Sequence, residues 1–171
     1  MKLKILVIYA SRAGSTQGVA QAIAEELVKR GVTVDMRFIL DVKDVSTYHA
    51  VIIGSAIRSG RWLPEAIKFV KIHQRQLRKR PVAYFAVGIT LYDNRQESRD
   101  KILAALKPVC DWVEPVDIGL FAGAMRSRRL KFLGRLLIKF LRVPEGDYRD
   151  FPAIRAWAEQ LLTKIQLLIK E

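Results

Sequence analysis

Cysteine and histidine are almost absent: the 171 residues contain Cys110 alone and two histidines, His49 and His73. One cysteine excludes a disulfide framework, and three such side chains far apart in sequence argue against a metal site. Cys110 reads instead as a small buried residue, His73 as a packed side chain on a helix, and His49 as a surface residue. No apolar run reaches the roughly 18 residues of a membrane-spanning helix. Met1–Lys4 leads straight into a strand-like run without a signal-peptide pattern, so a cytoplasmic location is expected. Repeats and low-complexity linkers are lacking too, and residues 1–171 read as one domain. Acids are scarce: 17 Asp and Glu stand against 30 Lys and Arg, for a net charge of +13.

What is present is an alternation of apolar runs and helical periods. Lys4–Tyr9 is continuously apolar, as in a strand covered on both faces. Ser15–Arg30 carries Val19, Ile23 and Leu27 on one helical face and stops at Gly31. Val32–Phe38 alternates apolar with polar, the pattern of a half-exposed strand near a sheet edge. Ala50–Gly54 predicts a third strand, Leu63–Leu77 a second helix ended by Pro81, and Val82–Gly88 a fourth strand. Arg95–Lys107 predicts a third helix, Val116–Gly123 a fifth strand, and Ile154–Ile169 the last helix. Strands alternating with helices imply a doubly wound α/β fold with a parallel sheet and right-handed crossovers. In such sheets ligands bind beyond the carboxyl ends of the strands, which directs attention to the loops after strands one, three and four.

The first of these loops is Ser11, Arg12, Ala13, Gly14, Ser15 and Thr16. Hydroxyls, a glycine for close backbone approach and amides at a helix start are the parts of a phosphate cradle, and Arg12 adds a positive charge. An ordinary strand-to-helix turn capped by Ser or Thr has the same local sequence. The lack of a Lys before Ser/Thr excludes a P-loop, and the lack of a third glycine excludes the dinucleotide fingerprint. A phospho-receiver would place acids where this chain has Tyr9, Ala10 and Ser11. Gly54–Trp62 and Gly88–Asn94 are the loops after strands three and four.

The Ser11-to-Thr16 loop, followed by this alternation, resembles the FMN-phosphate loop of the flavodoxins. The resemblance implies a flavodoxin-like five-stranded parallel sheet of order 2-1-3-4-5 and FMN as cofactor, with Ser11, Arg12, Ala13, Gly14, Ser15 and Thr16 at its phosphate. It further implies Ala56, Ile57 and Arg58, together with Thr90, Leu91 and Tyr92, beside the isoalloxazine ring. Trp62 or Tyr92 is either a stacking partner of that ring or packing. A closer resemblance, to the flavodoxin-like protoporphyrinogen dehydrogenases, rests on Ile57-Arg58-Ser59-Gly60, on Phe69-Val70-Lys71 with His73, and on Ala122-Gly123-Ala124-Met125-Arg126. It implies FMN-dependent oxidation of protoporphyrinogen IX to protoporphyrin IX in haem biosynthesis. Electrons would pass to a membrane quinone, and Arg58 and Arg126 would meet the substrate propionates. The chain departs from that family at Ser127, Arg128, Arg129 and Leu130, where aromatics are common. No catalytic acid or base stands out. A general flavodoxin-type electron-transfer protein or quinone reductase stays open as an alternative, as does a non-catalytic membrane-binding module.

The cations are concentrated. Lys71–Arg80 holds five and Arg126–Arg142 seven, both without an acid, and such fields attract anions. If the second segment is helical, Lys131, Arg135, Lys139 and Arg142 form one stripe, and Leu130, Leu133, Leu137, Phe140 and Leu141 another. With Arg128 and Arg129, that layout suits an anionic membrane interface, or else a surface helix packed on the sheet with a solvated basic face. Residues 126–146 are therefore expected as a basic helical insertion before the last helix, peripheral to the inner face of the cell membrane. Nucleic acid ranks lower, because neither a reading motif nor interleaved aromatics accompany the patch. A cation about 10 Å from a flavin, at an effective dielectric of about 20, favours the anionic reduced ring by about 1.7 kcal/mol. A potential above that of an acidic electron carrier is expected.

Overall fold

The structure, a computed structural model, describes residues 2–125 and 145–170. The strands are β1 (Lys4–Ala10), β2 (Thr33–Phe38), β3 (Ala50–Arg58), β4 (Arg61–Trp62), β5 (Val82–Gly88), β6 (Asp117–Ala122), β7 (Ala124–Met125) and β8 (Gly146–Asp147). The helices are α1 (Ser15–Lys29), α2 (Pro64–Leu77), α3 (Gln96–Trp112) and α4 (Phe151–Lys170). Five parallel strands lie in the order β2-β1-β3-β5-β6, the flavodoxin-like doubly wound topology. The half-polar β2 takes an edge, as its alternation predicts.

Strand periodicity sorts the core into two layers. Leu6, Ile8, Val51, Ile53 and Tyr84 point to the side covered by Phe69 and Val70 of α2 and Leu106 of α3. Ile5, Val7, Ile52 and Phe85 point to the other, against Ile23 and Leu27 of α1 and Leu161 and Ile165 of α4. Apolar residues on both faces of the same strand explain the unbroken runs in sequence. No helix among the described residues is long and apolar enough to cross a membrane.

Three elements differ from the sequence reading. β3 continues to Arg58 instead of stopping at Gly54, so the segment expected as a loop is a hairpin. Ser59 (φ 51°) and Gly60 (φ 73°) are both left-handed, the geometry of a two-residue hairpin turn, and β4 returns with Arg58 opposite Arg61 and Ile57 opposite Trp62. The buried Ser55 hydroxyl fastens the hairpin base, donating to the Ala56 carbonyl at 2.8 Å and accepting the Leu63 amide at 2.9 Å. Second, α3 runs through Pro108 to Trp112, past its expected end at Lys107. Proline forfeits one helix hydrogen bond, but burial of Val109 and Val113 holds the last turn against the core. Third, β7 and β8 pair antiparallel, bringing Met125 opposite Gly146.

Of the isolated residues, His73 is packed as expected: its ring stacks on Phe69 at 4.1 Å and Nδ1 lies 3.0 Å from the Phe69 carbonyl. His49 has a structural bond besides its partial exposure, with Nδ1 accepting the Lys4 amide at 3.0 Å. Cys110 is half-buried rather than buried, and desolvation raises its thiol pKa.

Candidate functional site

The carboxyl ends of β1, β3, β5 and β6 converge. Gly14 begins α1 in a left-handed conformation (φ 90°), with no side chain capping the helix. The Ser11 hydroxyl accepts the Gly14 amide at 3.0 Å and closes the loop on itself. By helix geometry the first-turn amides that follow have no intrahelical acceptor, and the first turn of α1 holds no acid. The hydroxyl of Thr16 is buried without a hydrogen-bond partner among the described residues. An orphaned hydroxyl, first-turn amides and a glycine turn leading into a helix whose first turn holds no acid fit a phosphate. They therefore fit the phosphate end of the cofactor that the resemblance implies.

The neighbouring loops press against this cradle. A Cβ on Gly123 would stand 3.4 Å from Ser15 Oγ and 3.4 Å from Val87, and one on Gly88 would stand 3.1 Å from Ile57 Cβ. The Gly123 amide donates to the Gly88 carbonyl at 3.2 Å, and the Tyr148 amide to the Gly123 carbonyl, also at 3.2 Å. Ser15, Ile57, Gly88 and Gly123 thus form one contiguous floor. Beside it, Thr90 and Tyr92 are exposed, whereas the Leu91 side chain is buried in the core.

The two aromatic candidates separate. Trp62 is 3% exposed and meets Tyr84 edge-on at 5.2 Å, so it is packing. Tyr92 is 39% exposed, with its ring 5.5 Å from that of Tyr148. Tyr148 carries no local sequence signal, and neither does Arg149, whose guanidinium lies over Gly18, where any Cβ would collide with it. Arg149 is held by Asp147, with Nη2 to Oδ2 at 2.6 Å.

Arg12 is exposed and turned to α2: its guanidinium pairs with both oxygens of Glu65. The Arg12 hydrogen bonds hold the Glu65 carboxyl below the ordinary carboxylate range. Asp35 is lowered in the same direction, first by the Tyr48 hydroxyl at 2.7 Å and then by Lys4. Both depressed carboxyls stabilise the fold above their unfolded pKa values, and that contribution is lost as pH falls through the folded ones. Urea unfolding between about pH 6 and about pH 3 should therefore show declining stability, and Glu65→Gln should flatten the decline. An equal slope in the variant would remove Glu65 from the account.

Arg58 is exposed at the hairpin turn. Arg126, Arg128, Arg129, Lys131, Arg135, Lys139 and Arg142, and with them the expected basic helix, lie outside the described residues.

A flavodoxin-domain family profile matches residues 6–151. The protoporphyrinogen IX dehydrogenase (quinone) of Leishmania major is 29% identical over 172 residues, covering 91% of this chain and 73% of that protein. The protein of the same name from Escherichia coli K12 is 26% identical over 152 residues, covering 86% of this chain and 83% of its own length. Among solved structures, a short-chain flavodoxin associated with a bacterial microcompartment superposes with a TM-score of 0.65 at 14% identity, covering 95% of this chain and 99% of that one. With the sheet order, the cradle and the profile in agreement, the chain belongs to the flavodoxin domain family.

Proposed function

We propose that this protein binds FMN and oxidises protoporphyrinogen IX to protoporphyrin IX, with a quinone as electron acceptor. The observation that carries the reading is the likeness to relatives of that name along 91% and 86% of the chain. The phosphate-fitting cradle supports the cofactor.

In this reading the hydroxyls of Ser11, Ser15 and Thr16 and the first amides of α1 hold the phosphate. Arg12, its charge engaged by Glu65, ties the loop to α2. The backbone of Ala56–Arg58 and of Thr90–Tyr92 borders the ring, with Tyr92 and Tyr148 on the open side. Bound FMN would supply reversible two-electron redox chemistry, and the protein's part is orientation and electrostatics. Each cycle removes one pair of hydrogens from the porphyrinogen and delivers one pair to a quinone, repeating until the macrocycle is conjugated. Arg58 and Arg126 are assigned to substrate carboxylates, and segment 126–146 to the anionic membrane surface where quinones dissolve.

The test is an anaerobic assay of FMN-loaded protein with protoporphyrinogen and a soluble quinone, followed by porphyrin fluorescence. FMN-dependent growth is expected, abolished by Gly14→Val, because a β-branched side chain is strained at that left-handed position. A protein that binds FMN but forms no porphyrin would overturn the substrate and leave a quinone reductase.

A further inference from the structure

A cavity of about 700 Å³ lies between the β3–β4 hairpin, the start of α2 and the end of α3. That volume is in the range of sites for drug-sized ligands. Its lining has two chemistries. Ile67 and Trp112, backed by the buried Trp62 and Leu63, supply an apolar wall, while Arg58, Arg61, Lys68 and Lys71 bring exposed cations. Among the described residues no acid lines it, and Glu65, in the first turn of α2, is already engaged by Arg12. Among the described residues, Arg58, Arg61 and Lys68 make no ion pair, and Lys71 sits 5.7 Å from the Trp112 ring centre.

Like charges gathered around an apolar wall repel one another until an anion arrives. A simple phosphate would satisfy the cations but leave the tryptophan and isoleucine wall unused. A neutral apolar ligand would do the reverse. The lining matches a broad apolar ring system that carries at least two carboxylates.

We propose that this cavity is the substrate site, with carboxylates held by Arg58, Arg61, Lys68 and Lys71 and the ring system against Ile67 and Trp112. The identification of that ligand as a porphyrinogen rests on the function proposed above, whereas its charge and breadth rest on the lining alone. The cavity adjoins the loops assigned to the cofactor, since Arg12 and Arg58 belong to both. Arg61, Lys68 and Trp112 thereby gain a role that no motif in the sequence marks.

The test uses FMN-loaded protein and protoporphyrin IX as the probe, with binding read by tryptophan quenching. Arg61 and Lys68 are not themselves assigned to the cofactor, and the melting temperature and FMN affinity of the double variant Arg61→Gln/Lys68→Gln control for folding and for the hairpin that Arg61 shares with Arg58. The variant should bind the probe about tenfold more weakly or worse. Protoporphyrin dimethyl ester should bind wild type weakly and be indifferent to the substitutions. Unchanged probe affinity in the variant, or no probe binding by wild type, overturns the proposal. The two readings fail separately. Charge-dependent probe binding without turnover keeps the site and ends the dehydrogenase assignment. Turnover with an unchanged KM in the double variant does the opposite.

Discussion

Replacing Thr16 by valine is expected to stabilise the cofactor-free protein and to weaken FMN binding by about 10- to 100-fold. The opposite signs come from one atom. The Thr16 hydroxyl is buried in the first turn of α1 and has no partner among the described residues. Leaving such a group unsatisfied costs about 1–3 kcal/mol, which valine removes at nearly the same shape. A hydrogen bond to a charged group contributes about 1.5–3 kcal/mol, and each 1.4 kcal/mol is about tenfold in affinity. Thermal melts of the apoprotein and a flavin fluorescence titration measure the two halves. If both stay at their wild-type values, the hydroxyl does not serve a phosphate. If the apoprotein gains stability while FMN affinity is kept, the cradle's amides bind without it.

Gly54→Ala should produce the largest loss of stability. Gly54 sits in the sheet interior, opposite Tyr9 of β1 and Phe85 of β5. A Cβ there would fall inside 3.0 Å of three Phe85 ring atoms, and Phe85 is itself fully buried with its ring 6.5 Å from that of Trp157. The ring therefore fills the space above the glycine and has nowhere to retreat. Overpacking of a tight core typically costs about 1–3 kcal/mol and sometimes more. At about 2–4 °C per kcal/mol for a chain of this size, the melting midpoint should fall by about 5–10 °C. The double variant Gly54→Ala/Phe85→Leu should recover part of that loss, since shortening the ring removes the collision. A midpoint that does not move would mean the ring rotates aside freely.

Both predictions depend on neighbours that are remote in sequence, which marks the boundary of what could be read from residue order. The continuous run Lys4–Tyr9 announces a strand covered on two faces, and the alternation of Val32–Phe38 announces an edge. Periodicity and turn chemistry act over a few residues, so they are visible locally. Where a local signal was present but short, as with Ser59-Gly60, the hairpin it encodes was hidden inside a loop reading. The third helix continues through Pro108 to Trp112 because burial of Val109 and Val113 outweighs the hydrogen bond that proline forfeits.

The residues themselves determined the element order, the two-faced sheet and the loop that fits a phosphate, because each depends on spacing along a single stretch of chain. Only the tertiary structure decided that Arg12 spends its charge on Glu65, that Tyr148 joins Tyr92, that Arg149 lies over Gly18, and that Arg61, Lys68 and Trp112 share one cavity. Those pairings join segments tens of residues apart. They follow from which strands became neighbours and which helix ends met, a long-range packing outcome that no window of sequence contains.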